Sequence, residues 1–115
     1  MPVSPITTHI LDTAKGCPAA GIPIRIEIER SGRFELIGEG VTNSDGRVID
    51  LLPYDKPLET GRYRMRFDTD RYFSDNKTEG FYPYVEVVFD IRQADQHYHV
   101  PLLLSPFGFS TYRGS

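Results

Sequence analysis

A disulfide framework is missing from this chain: its 115 residues include one cysteine, Cys17, so no internal bridge can form, which fits a reducing compartment. Long hydrophobic runs are missing too. No stretch approaches the roughly 20 apolar residues that a membrane-spanning helix needs, and MPVSPITTHI carries neither a basic start nor an apolar signal core, so no membrane partner and a cytoplasmic location are expected. Nor is there a basic excess. Thirteen Lys and Arg against 16 Asp and Glu give a net charge of -3, which argues against a nucleic-acid partner, because phosphate binding draws on a positive surface. Tryptophan is absent, yet Tyr and Phe bring the aromatic content to 12%, and with 25% charged residues this is a globular rather than a disordered composition. No Gly-rich phosphate loop, nucleophile elbow, repeat, linker or low-complexity tract is present. The length fits one domain spanning 1–115.

What the chain does contain is alternation. Ile22, Ile24, Ile26 and Ile28 interleave with Pro23, Arg25, Glu27 and Glu29, the period of two of a half-buried strand. Tyr63, Met65 and Phe67 oppose Arg62, Arg64 and Arg66, and Val85, Val87, Phe89 and Ile91 face away from Glu86 and Asp90; the Arg stripe reads as a solvated face balanced by acidic residues elsewhere. Turn signals separate these runs at Gly16-Cys17-Pro18, Ser31-Gly32, Ser44-Asp45-Gly46 and Asp55-Lys56-Pro57. The expected strands are 6–12, 22–30, 34–42, 47–51, 61–68, 84–92, 97–104 and 108–112, with one short helix within 69–79. Eight short, regularly punctuated strands predict an all-β antiparallel sandwich.

One strand does not fit a monomer. In 97–104, His97, His99, Pro101 and Leu103 share one face and Tyr98, Val100, Leu102 and Leu104 the other, so both faces are largely apolar and the outer one is expected to be covered by another subunit. Strand 6–12 places Thr7, His9 and Leu11 on one face, and all three histidines of the chain converge if these two strands are neighbours. Three imidazoles raise the question of zinc, but no convincing carboxylate or thiolate completes a ligand set, and Cys17 sits in a turn without a partnering base.

The segments ITTHILDTAKGCPAAGIPI, TNSDGR, GFYP and HYHVPLLLSPFGFSTYRGS resemble the 5-hydroxyisourate hydrolases of the transthyretin-related protein family over nearly the whole chain. The terminal Tyr112-Arg113-Gly114-Ser115 is the family's hallmark and separates the hydrolases from the hormone-carrying transthyretins; Phe109, where relatives often have Tyr, departs from the pattern. The resemblance implies a transthyretin-like sandwich of eight strands with one short helix, assembled as a homotetramer, a dimer of dimers with active sites at the dimer–dimer interface. It implies catalytic roles for His9, Arg47 and His99, substrate binding by Tyr112, Arg113, Gly114 and Ser115, and no cofactor or metal. The bacterial cytosol and the peroxisome of a eukaryote both remain open, although STYRGS is not a Ser-Lys-Leu address.

The implied reaction is hydrolytic opening of 5-hydroxyisourate to 2-oxo-4-hydroxy-4-carboxy-5-ureidoimidazoline, a step of urate degradation to allantoin. An imidazole can activate water at neutral pH, and a guanidinium can stabilise the oxyanion formed by attack. Clustering His9, His99 and Arg47 should push the imidazole pKa values down; which histidine accepts the proton, and what His97 does, stay open. The alternatives are a transthyretin-like carrier of a small ligand, for which a channel lined by two imidazoles and two arginines would be needlessly polar, and an adhesive sandwich, which leaves the tail unexplained.

Overall fold

Along β1 (Ile6–Asp12) every second side chain is buried: Ile6, Thr8, Ile10 and Asp12 point inward and Thr7, His9 and Leu11 outward. The same rule acts in β3 (Pro23–Arg30), where Ile24, Ile26 and Ile28 are buried, and in β6 (Gly61–Phe67), where Tyr63, Met65 and Phe67 are. Apolar faces of this kind are removed from water by packing sheet on sheet, at about 25 cal/mol per Å² of apolar surface buried. The computed structural model describes residues 4–114 and shows this sandwich.

One sheet has the order β2-β1-β8-β9, with β2 at Cys17–Pro18, β8 at Tyr98–Ser105 and β9 at Gly108–Thr111; β5 (Arg47–Val48) also pairs with β1. The other has the order β4-β3-β6-β7, with β4 at Arg33–Val41 and β7 at Val85–Ile91. A register shift at Ile26/Glu27 bulges the β3–β4 pair. The core between the sheets gathers Ile6, Ile10, Ile24, Ile26, Met65, Phe67, Leu102 and Leu104. Buried hydroxyls are bonded within it: Thr8 Oγ1 donates to the Val100 carbonyl at 2.6 Å, and Thr42 Oγ1 to that of Ala19 at 2.8 Å. Among the described residues no buried side-chain nitrogen or oxygen lacks a partner.

All eight expected strands form, with informative differences. Among the described residues the ladders are antiparallel except one, since β1 and β8 run parallel over Ile6↔Tyr98 to Asp12↔Leu104. A ninth strand, β2, is two exposed residues closing a hairpin on β1, which the Gly16-Cys17-Pro18 turn signal concealed. The expected strand 47–51 pairs only at Arg47–Val48, because Leu51 and Leu52 are both buried, which alternation does not permit, and Pro53 follows. The helix α1 (Thr69–Asp75) occupies the first part of 69–79 and ends where Lys77 takes a left-handed φ of 53°.

The acids that balance the Arg stripe stand beside it on neighbouring strands. Arg62 donates to Asp90 at 2.9 Å and Arg64 to Glu27 at 2.7 Å, while Arg66 lies 3.5 Å from Glu86 and its guanidinium covers the Tyr84 ring. The outer face of this sheet is therefore a self-paired ionic ladder, and the candidate chemistry lies on the other sheet.

Candidate active site

The turn before β5 delivers Arg47. The Asn43 Oδ1 accepts from the backbone N–H groups of Asp45 at 2.9 Å and Arg47 at 3.1 Å, and Gly46 takes a φ of 73° that suits glycine. A Cβ at Gly46 would stand 2.5 Å from the Ile10 carbonyl oxygen, so only glycine lets the turn dock on β1, where the Ile10 N–H donates to the Gly46 carbonyl at 2.9 Å. The register that follows sets His9 directly opposite Arg47.

On the other side of β1 the parallel ladder sets Thr7 opposite His99 and His9 opposite Pro101. Thr7, His9, Arg47 and His99 thus share the outer face of the sheet. The Thr7 hydroxyl stands between two rings, 2.8 Å from His99 Nδ1 and 3.1 Å from His97 Nε2. Thr7, Thr8, Arg47, Val48, Ile49, His97 and His99 line a hollow of about 230 Å³. The three histidines do converge, in one chain, on one surface.

Burial lowers the pKa of half-buried His99, and the positive charges of Arg47, His97 and His9 lower it further; hydrogen bonding to the Thr7 backbone acts in the opposite direction. The ring is accordingly neutral at pH 7, the state a proton acceptor needs. Among the described residues no three of His, Cys, Asp and Glu are grouped so as to hold a metal ion.

The tail divides between two places. Gly114 donates its N–H to the His99 carbonyl at 2.8 Å and continues the β8–β9 register as a bridge opposite His99. A Cβ on Gly114 would fall 2.6 Å from His99 Cδ2, so the bare glycine lets the tail lie flat against the imidazole. Arg113 turns away, stacking its guanidinium 4.4 Å over the Tyr98 ring and donating to Gln96 Oε1 at 2.9 Å. With Tyr112, Val87, Phe89 and Tyr98 it lines an adjoining cleft of about 310 Å³ that meets the first hollow at His99. Ser115 lies outside the described residues.

Sequence reasoning placed Thr7 on the face of His9 without giving it a role, since only its pairing with His99 reveals one. The family model described as HIUase/Transthyretin family matches residues 6–114. The chain belongs to the HIUase/Transthyretin family. A probable 5-hydroxyisourate hydrolase of Caenorhabditis elegans is 48% identical over 115 residues, an alignment that covers 100% of this chain and 84% of that relative. Among solved structures, a sea bream transthyretin in complex with thyroxine superposes with a TM-score of 0.90 at 33% identity, covering 96% of this chain and 95% of that one. The 5-hydroxyisourate hydrolase of Klebsiella pneumoniae gives 0.83 at 35% identity, covering 96% and 97%. A thyroxine-bound transthyretin and a hydrolase thus share the backbone almost equally well with this chain, and side chains must decide between the two kinds of site.

Proposed function

We propose that the protein is a 5-hydroxyisourate hydrolase, a cofactor-independent cyclic amidohydrolase that yields 2-oxo-4-hydroxy-4-carboxy-5-ureidoimidazoline in urate degradation to allantoin. The observation that carries this reading is the meeting of His9, Arg47 and His99 on one polar surface, in a chain whose curated relatives bear the hydrolase name. In the reaction, neutral His99 takes a proton from water as the oxygen attacks the ring carbonyl. The cyclic C–N bond then breaks, the departing ring nitrogen receives a proton, and the carbonyl carbon becomes a carboxylate that stays on the opened product. Such general-base help contributes about 10²–10⁴-fold. Arg47, a permanently charged planar donor, stabilises the oxyanion formed on attack, and His9, opposite it in the ladder, supplies the second acid/base group.

Tyr112, Arg113, Gly114 and Ser115 are proposed to seat the flat, polar substrate, with Gly114 against His99 and Arg113 reading it from the adjoining cleft. The site is further proposed to be completed in a homotetramer, a dimer of dimers whose dimer–dimer interface covers this face. Ile49 at 60% exposure, which lines the polar hollow, and Tyr112 at 58%, which lines the adjoining cleft, are the apolar surface such a partner would cover.

The test is the ultraviolet absorbance of freshly made 5-hydroxyisourate, followed with and without the protein. Accelerated decay is expected, and an unchanged rate rejects the hydrolase reading in favour of a carrier.

A further inference from the structure

We infer that Thr7 is a positioning residue that holds His99 in the tautomer protonated at Nδ1, leaving Nε2 free to accept a proton, and that His97 completes the arrangement by accepting the Thr7 hydroxyl proton. The inference rests on the hydrolase reading and assigns His97 a part in it.

A threonine hydroxyl has one proton and two lone pairs. Thr7 Oγ1 faces two ring nitrogens, His99 Nδ1 at 2.8 Å and His97 Nε2 at 3.1 Å, so its proton can serve only one of them and the other ring must donate its own N–H. The two rings are therefore coupled: fixing the proton on one fixes it on the other. The two contact lengths are compatible with either direction, and the hydrolase reading chooses between them: a neutral ring that is to take a proton at Nε2 must carry its own at Nδ1 and donate it to Thr7. With Nδ1–H donated to Thr7, the Thr7 O–H is released to His97, which is exposed and can exchange its remaining ring proton with water.

The groups facing His99 fit this assignment. Arg47 from β5, His9 from β1 and His97 just ahead of β8 all disfavour a second proton on the ring, and Gly114 adds a backbone without charge. None of them accepts from Nδ1–H, so Thr7 is the fixed partner that sets the tautomer. In a serine hydrolase, forcing the wrong tautomer on the base lowers kcat by about 10⁴-fold through loss of a buried carboxylate. A neutral hydroxyl holds less strongly, and about 10–100-fold is expected here.

The experiment combines the ¹⁵N shifts of the His99 ring with kinetics for wild type, Thr7→Val, Thr7→Ser and His97→Ala. Val keeps the branched shape and removes the hydroxyl, Ser keeps the hydroxyl, and the exposed His97 can be truncated without disturbing the core. Wild type should show His99 with protonated Nδ1 and bare Nε2 above its titration. Thr7→Val should lose that bias and drop kcat about 10–100-fold with KM little changed, Thr7→Ser should restore both, and His97→Ala should weaken the bias. A wild-type ring protonated at Nε2, or an unchanged tautomer in both Thr7→Val and His97→Ala, overturns the inference. Absence of turnover by wild type sinks the hydrolase reading instead, and the ring shifts still report on Thr7.

Discussion

His9 and Arg47 are direct cross-strand partners in the β1–β5 ladder, fixed there by the Asn43–Gly46 turn. The turn holds Arg47 by its backbone N–H, so its side chain can be changed without loosening the strand. Arg47→Lys keeps the charge but loses the planar fork. Turnover should fall roughly 10²–10³-fold, the range for losing one oxyanion donor, with circular dichroism unchanged. Near-normal turnover by Arg47→Lys would remove Arg47 from the chemistry.

His99→Asn should lower kcat by at least about 10²-fold while the protein still folds. The same residue governs the pH profile. Its folded-state pKa lies below the ordinary imidazole value of about 6.5, so kcat/KM should have an acid limb with its midpoint below that value. The stability effect has a matching sign: between the lowered and the ordinary pKa the unfolded chain binds more protons, so the contribution of His99 is fully present above about pH 6.5 and is lost as pH falls through the folded pKa. A midpoint above 6.5 contradicts the neutral-base assignment.

Gly114→Ala tests the tail against the imidazole. Its Cβ would sit 2.6 Å from His99 Cδ2 and 3.3 Å from Pro101 Cγ, so ring or tail must shift. We expect a loss of roughly 10–100-fold in kcat/KM with little change in melting temperature, because the displaced groups are at the surface. If activity survives intact, the flat packing of the tail on His99 has no catalytic consequence.

Stability, by contrast, should respond at Tyr72. Its hydroxyl donates to buried Asp12 Oδ2 at 2.7 Å, and the other carboxylate oxygen accepts from the Ala14 and Lys15 N–H groups at 3.0 Å. The Tyr72 pKa is raised by burial first, then by its bond to Asp12 and the carboxylate charge. Tyr72→Phe leaves Oδ2 without that donor and should cost about 1–3 kcal/mol in denaturant titrations, with turnover retained in the folded fraction. An unchanged midpoint would show that water replaces the phenol.

Sedimentation velocity tests the assembly. A tetramer is expected at micromolar concentration, and a stable monomer would contradict the proposal that a partner covers Ile49 and Tyr112.

Faces were legible in the sequence wherever alternation was strict, as at Ile22, Ile24, Ile26 and Ile28, all buried. Neighbours were not. A period of two says which way His9 and His99 point, but the parallel pairing that joins their strands is a long-range choice that no local pattern encodes. Two-residue β2 was hidden for a different reason, since Cys17 and Pro18 make a pattern too short to have a period. The family resemblance named His9, Arg47, His99 and the tail, and the structure brings the first three and Gly114 together; it turns Arg113 onto Tyr98, because a side chain's direction depends on what it stacks against. The part Thr7 plays is not legible in the sequence, because a hydroxyl gains meaning only from the two rings that flank it.

The β1–β8 pairing also dictates when the molecule becomes competent. Thr7 and His99 stand 92 residues apart in sequence, so closing that loop comes late and at a large entropic cost. During synthesis β1 emerges early and must wait for β8 before Thr8 can reach the Val100 carbonyl and Thr7 can meet His99. A partly made chain therefore lacks this polar surface, which comes into being only with the closing of the fold.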